Sequence, residues 1–146
     1  MNRLSTLRSA GEHPRRLFYY TAGFWREARL RRILQLAGYH LNLGLPSASD
    51  AVAVWGRSPF AWRGEHIAKN RGAALLRIED AFLRSVRPGR AGDASLGLLI
   101  DPIGVHFDAS RPSHLETLLE TADLDDPNLL ARAAAGNARL KALDLS

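Results

Sequence analysis

The densest cluster of chemistry-bearing residues in this chain is Arg77-Ile78-Glu79-Asp80-Ala81-Phe82-Leu83-Arg84-Ser85. Two adjacent acids flanked by arginines, at the end of an apolar run, form an unusual arrangement. Neighbouring side chains on extended backbone point to opposite faces. One carboxyl is therefore expected to face a cleft while the other pairs with Arg77 or Arg84, and Glu79 is taken as the cleft residue. A cleft acid suits general-base work on a hydroxyl, or simply the holding of that hydroxyl. A purely structural carboxylate–arginine network uses the same residue types. A second candidate is Trp55-Gly56-Arg57-Ser58-Pro59. Its glycine permits close backbone approach, and the start of a following helix favours an anion. An ordinary βα turn has the same composition. The third is Asp101 to Asp108, with His106 inside it. That spacing reads as a hairpin turn, with His106 as a half-buried strand residue rather than a ligand; His66 and His114 are read as structural in the same way.

Several chemistries lack their residues. The chain has no cysteine, so thiolate nucleophiles, thiolate metal sites and disulfides are out. No G-x-G-x-x-G follows an apolar run, and there is no phosphate-binding G-x-x-x-x-G-K-[ST] loop and no G-x-S-x-G elbow. No two histidines have ligand spacing. Neither a metal nor a cofactor is expected.

The elements that must position these residues alternate between strand and helix signals. Arg15 to Ala37 carries apolar residues at near-helical spacing and is expected as one helix, ended by Gly38. Leu43 to Ser47 reads as a loop. Ala51-Val52-Ala53-Val54-Trp55 and Ala73-Ala74-Leu75-Leu76-Arg77-Ile78 read as buried parallel strands, joined by a helix that opens at Ser58-Pro59 and runs to about Asn70. That is a βαβ unit. Residues 87–92 form a loop. Leu96 to Ile100 is a third strand, with Val105-His106-Phe107 as its hairpin partner. Ser113-His114-Leu115-Glu116 is a capping box, and Asp126-Pro127 opens a last helix to about Leu143. Leu129, Leu130, Leu140 and Leu143 on that helix are expected to leave an apolar seam. The fold class is α/β: a small, mostly parallel, Rossmann-like sheet flanked by helices. Residues 1–13 are expected as a flexible leader and 14–146 as a partial lobe.

Composition sets the environment. At 46% apolar residues the chain can build a core, which argues against disorder. No run approaches the roughly 18 apolar residues of a spanning helix, and Met1-Asn2-Arg3-Leu4-Ser5 begins no secretory signal. A cytoplasmic location is expected. The net charge of +5 is uneven: residues 1–40 hold eight arginines against two glutamates, and residues 113–146 three basic against six acidic residues. The basic end would meet phosphates, an anionic membrane or an acidic sugar, unless it is simply a solvated face. No nucleic-acid partner is expected.

Taken together, Val54-Trp55-Gly56-Arg57-Ser58, Leu76 to Val86, Leu99 to Asp108 and Arg111-Pro112-Ser113 resemble the capsular polysaccharide biosynthesis and export proteins. More narrowly they resemble the β-Kdo transferases of capsule lipid-linker synthesis, Kdo being 3-deoxy-manno-octulosonic acid. The run Leu76-Arg77-Ile78-Glu79-Asp80-Ala81-Phe82-Leu83-Arg84-Ser85 is its most specific part. The resemblance implies the N-terminal lobe of a GT-B-like glycosyltransferase, with CMP-Kdo as donor and a Kdo-bearing glycolipid as acceptor. It also implies that the donor lobe and a later Asp/Ser motif supplying a carboxylate fall outside this chain, so the chain alone would be inactive. On it, Trp55, Gly56, Arg57 and Ser58 line the cleft, Glu79 and Asp80 orient acceptor hydroxyls or assist proton transfer, and Arg57 or Arg84, with Ser85 beside it, neutralises a sugar carboxylate. A rival reading is a non-catalytic interaction or membrane-surface domain of the capsule machinery, peripheral on the inner membrane. One departure stands out: the family usually has glycine where this chain has Ala81. Alanine there is harmless on ordinary strand backbone and strained at positive φ.

Overall fold

The computed structural model describes residues 15–85, 87 and 92–144. The expected leader, residues 1–13, lies outside them. Ten elements follow in order: β1 (Arg15–Tyr19), α1 (Ala22–Arg26), α2 (Ala28–Leu36), β2 (Tyr39–Asn42), β3 (Ala51–Trp55), α3 (Ala61–Arg71), β4 (Ala74–Asp80), β5 (Leu98–Asp101), α4 (His114–Thr121) and α5 (Pro127–Ala142). They build one five-stranded sheet in the order β2-β1-β3-β4-β5. The pairs β1–β2, β1–β3 and β3–β4 are parallel; β5 runs antiparallel to β4. The expected α/β class, with a mostly parallel sheet flanked by helices, is what the chain adopts.

Two expectations are corrected. Residues 15–37 are a strand and two helices, not one helix. Leu17, Phe18 and Tyr19 are all buried, because a central parallel strand is covered on both faces and so shows no alternation. Their aromatic content suits a pleated strand. From Phe24 onward the helical period is real: Phe24, Leu30 and Leu34 are the buried positions of α1 and α2. Val105-His106-Phe107 is likewise no hairpin strand but a turn, closed by the Asp108 amide donating to the Val105 carbonyl. The Asp101 carboxylate causes this departure. It accepts from the amides of Ile103, Gly104 and His114, which folds the chain off the sheet.

The core lies on both sheet faces. Leu17, Tyr19, Ala53, Leu76 and Ile78 meet α1 and α2 on one. Phe18 and Val52 meet Ala68 of α3 on the other. Each fully buried Leu, Phe or Ile contributes on the order of 2 kcal/mol. Helix α3 sits close because Gly64 faces the sheet, where a Cβ would come within 2.5 Å of Val54 Cγ1. Gly72 ends α3 in the left-handed region at φ 66°. The capping box on α4 is complete: Ser113 Oγ accepts from the Glu116 amide, and the Ser113 amide donates to the Glu116 carboxylate. Asp126 caps α5 as expected, but α5 has no buried residue, and Leu129, Leu130 and Leu143 are exposed.

Candidate functional site

In a sheet of this order, β1 leads to β2 on one side and β3 leads to β4 on the other. Ligands bind beyond the carboxyl ends of the strands where the winding direction reverses, here between β1 and β3. Tyr19, Trp55 and Asp80 end the strands at that edge.

Strand alternation divides the expected site residues between two hollows. Trp55 and Asp80 stand on the α1–α2 side, in step with buried Ile78. There a cleft of about 310 Å3 is lined by Thr21, Phe24, Glu27, Trp55, Arg84 and Ser95. Phe24 meets Trp55 edge-on with ring centroids 6.3 Å apart, so the cleft has an aromatic wall. Arg84 Nε donates to Asp80 at 2.6 Å, and its Nη1 donates to Ser85 Oγ and to the Asp93 carbonyl. Ser95 Oγ donates to the second Asp80 oxygen. Asp80 is therefore fully occupied in holding Arg84 and the loop after β4.

Glu79 points to the α3 side. It lines a cavity of about 220 Å3 together with Arg77, Leu99, Val105, His106 and Leu115. Burial raises its proton affinity above the usual carboxylate range, and the Asp80 charge adds to this; an Asp80 amide hydrogen bond and His106 act in opposition. The carboxyl rests against Gly56, where a Cβ would fall 1.5 Å from Glu79 Oε1. Gly56 has φ 38°, which L side chains rarely adopt. Its role in the sequence reading, close approach, is thus met by a side chain of the same protein.

The remaining candidates have partners elsewhere. Arg57 forms an ion pair with Asp108, whose carboxyl is held below its usual range by Ser110 and then by Arg57. The Ser58 amide donates to the Trp55 carbonyl, and α3 begins only at Ala61, so a further turn separates Gly56 from the helix start. Ser85 Oγ donates to the Arg87 carbonyl. Ala81 is unstrained: among the described residues Asp144 is the one non-glycine at positive φ.

Two residues share the cavity with Glu79 that the sequence reads as a possible ion-pair partner and as a structural strand residue, Arg77 and His106. His106 packs against Phe82, ring centroids 5.0 Å apart, and presents its ring to the cavity. Arg77 donates to the Gly56 carbonyl and to Glu65 Oε1, both at 2.6 Å. The i, i+2 spacing of Arg77 and Glu79 signalled a shared face, but nothing in the sequence pairs β4 with Glu65 on α3. Among the described residues, no group of three or more His, Asp or Glu could hold a metal ion.

A family model described as "Capsule polysaccharide biosynthesis protein" matches residues 50–145. The chain belongs to this family. The Glu79 cavity lies wholly within the matched range, as do the motifs from Val54 to Ser113 that carry the resemblance; the aromatic cleft lies half within it, its α1–α2 wall preceding residue 50. Among relatives, the chain is 35% identical over 85 residues to the capsule polysaccharide modification protein LipA of Neisseria meningitidis serogroup B, covering 58% of this chain and 12% of that protein. It is 36% identical over 98 residues to the lipopolysaccharide-processing protein LpsZ of Rhizobium meliloti, covering 66% and 22%. The fold matches Thermosulfurimonas dismutans KpsC, a beta Kdo 2,4 transferase, with TM-score 0.73 and 27% identity, over 88% of this chain and 40% of that one. The capsule-family chain thus spans less than half the length of each protein it resembles.

Proposed function

We propose that this chain is the N-terminal, acceptor-side lobe of a GT-B-like β-Kdo transferase that moves Kdo from CMP-Kdo to a Kdo-bearing glycolipid. The observation that carries the reading is the likeness to a beta Kdo 2,4 transferase across 88% of the chain. The geometry of the carboxyl edge supports it. Glu79 is the one acid of the pair with a cavity before it, and its raised proton affinity suits a group that orients an acceptor hydroxyl or receives its proton. In the transfer, the hydroxyl oxygen bonds to the anomeric carbon of Kdo, the bond to the CMP phosphate breaks, and the hydroxyl proton leaves to a base. Asp80 holds Arg84 at the aromatic cleft, where Trp55 offers a face to a sugar ring and Arg84, beside Ser85, a guanidinium to its carboxylate. Gly56 and Ser58 shape the turn above both, and Arg57 ties it to Asp108.

On this reading one lobe is insufficient, since the donor binds a second. The test is incubation with CMP-Kdo and a lipid-linked Kdo acceptor, for the 146-residue chain and for a transferase in which these residues form the first lobe. Product from the longer protein alone is expected; turnover by the isolated chain contradicts the lobe reading.

A second reading, a membrane-surface domain at the inner membrane, is favoured by the outer face of α1 and α2. Trp25 is 62% exposed there, beside exposed Arg26, Arg29 and Arg32. Among the described residues no helix is long and apolar enough to cross a membrane. Flotation with anionic vesicles, in a chain that supports no transfer in any context, would select this reading.

A further inference from the structure

Arg77 and Glu79 stand two residues apart on the same face of β4, roughly 7 Å along the strand. Both line the same cavity. A guanidinium at that spacing is the natural counter-ion of the carboxylate, yet the two are not bonded. Arg77 Nη2 turns to Glu65 Oε1 on α3 and Nη1 to the Gly56 carbonyl, each at 2.6 Å. The Arg77 side chain is 11% exposed and that of Glu65 39%, so the pair is anchored at the sheet and reached from solvent on the helix side.

We propose that Glu65 is a positioning residue: together with the Gly56 carbonyl it draws the Arg77 guanidinium away from Glu79 and leaves that carboxyl free to meet a substrate hydroxyl. Three groups act in one chain of contacts. Glu65 fixes Arg77, Arg77 fixes the Gly56 peptide, and Gly56, having no side chain, leaves the space that Glu79 Oε1 fills. The other charged or titratable groups around Glu79 do not replace this restraint. Asp80, its neighbour on β4, is bound to Arg84 and Ser95. Asp101 on β5 is bound to three backbone amides. His106, from the turn after β5, and His114, on α4, line the same cavity, and His106 acts on Glu79 through its charge. With Glu65 neutralised, the planar fork of Arg77 is released toward the carboxylates on its own face of the sheet. Asp101, opposite it on β5, is already held by three amides, which leaves Glu79 as the acid with room to receive it.

The functional meaning rests on the role given to Glu79 above, but the test does not. The probe is the 13C-carboxyl titration of Glu79 by NMR in the 146-residue chain. Glu65→Gln, near-isosteric and half-exposed, should shift the Glu79 midpoint to lower pH, because an opposite charge close by favours the ionised form. Glu65→Gln with Arg77→Gln should bring the midpoint back toward that of the unaltered chain. Glu65→Asp, which keeps the charge, should lie between. An unchanged midpoint in Glu65→Gln overturns the proposal, as does a shift that persists once Arg77 is removed. Retained amide chemical shifts across β3 and β4 establish that each variant is folded. Failure here would leave any effect of Glu79 on turnover standing, so the two ideas fail separately.

Discussion

Gly56→Ala should be far more costly than an exposed glycine substitution, and its cost should depend on Glu79. Two contributions can be worked from the structure. The backbone at φ 38° disfavours any L side chain, at about 1 kcal/mol. The new Cβ would lie 1.5 Å from Glu79 Oε1, 2.6 Å from Cδ and 3.3 Å from Cγ. Turning the carboxyl plane alone leaves the Cδ overlap, so Glu79 must leave its rotamer, at roughly 0.5–1.5 kcal/mol, and quit its niche. The sum is about 2 kcal/mol, which lowers the melting temperature by roughly 4–10 °C. The assay is a double-mutant cycle by thermal or denaturant unfolding, with Gly56→Ala, Glu79→Ala and the pair. With Glu79 truncated, only the backbone share remains, so the cycle should show a coupling of about 1 kcal/mol. Strict additivity would refute the claim that Glu79 occupies the glycine niche.

Other consequences follow from the same contacts. Gly64→Ala places a Cβ 2.5 Å from Val54 Cγ1 and should destabilise the chain by about 1–3 kcal/mol through forced displacement of α3, measured by urea unfolding. Ser113→Ala removes the N-cap of α4 at a fully buried site and should cost about 1–2 kcal/mol, with loss of protection of the Glu116 amide in hydrogen exchange. Glu79→Gln should change the pH dependence of stability in one direction. Because the folded state raises the proton affinity of Glu79, folded chains bind more protons than unfolded ones at pH values above the ordinary 4.5, and stability falls as pH rises through that window. The variant lacks this loss, so its melting temperature relative to the unaltered chain should improve as pH rises from the ordinary carboxylate value of 4.5 and stay flat below it.

The parts of the fold that were legible in the sequence are those whose signals are local. Strand β3 is a short apolar run closed by Gly56, and α4 and α5 announce themselves by Ser113/Glu116 and Asp126-Pro127. Strand β1 was not legible, because Leu17, Tyr20 and Phe24 happen to fall at helical spacing while the strand is buried on both faces. Strand β2, four residues after a glycine, pairs only with β1 and has no signal without it. At the site, the opposition of Glu79 and Asp80 follows from the period of two along a strand. The pairing of Arg84 with Asp80 rather than of Arg77 with Glu79 depends on Glu65 and Asp93, which tertiary packing alone brings near. His106 was set aside as a strand residue because the Asp101 carboxylate that turns the chain there acts through three amides invisible to a pattern of apolar residues.

The most direct test of the account compares Glu79→Gln with Asp80→Asn in a transferase whose first lobe is this chain, measuring Kdo transfer from CMP-Kdo and thermal melting side by side. The account predicts that Glu79→Gln lowers turnover by about 10²–10⁴-fold without lowering the melting temperature. Asp80→Asn should chiefly lower the melting temperature, by leaving Arg84 less well paired. Near-normal turnover of a folded Glu79→Gln enzyme would contradict the account at its centre.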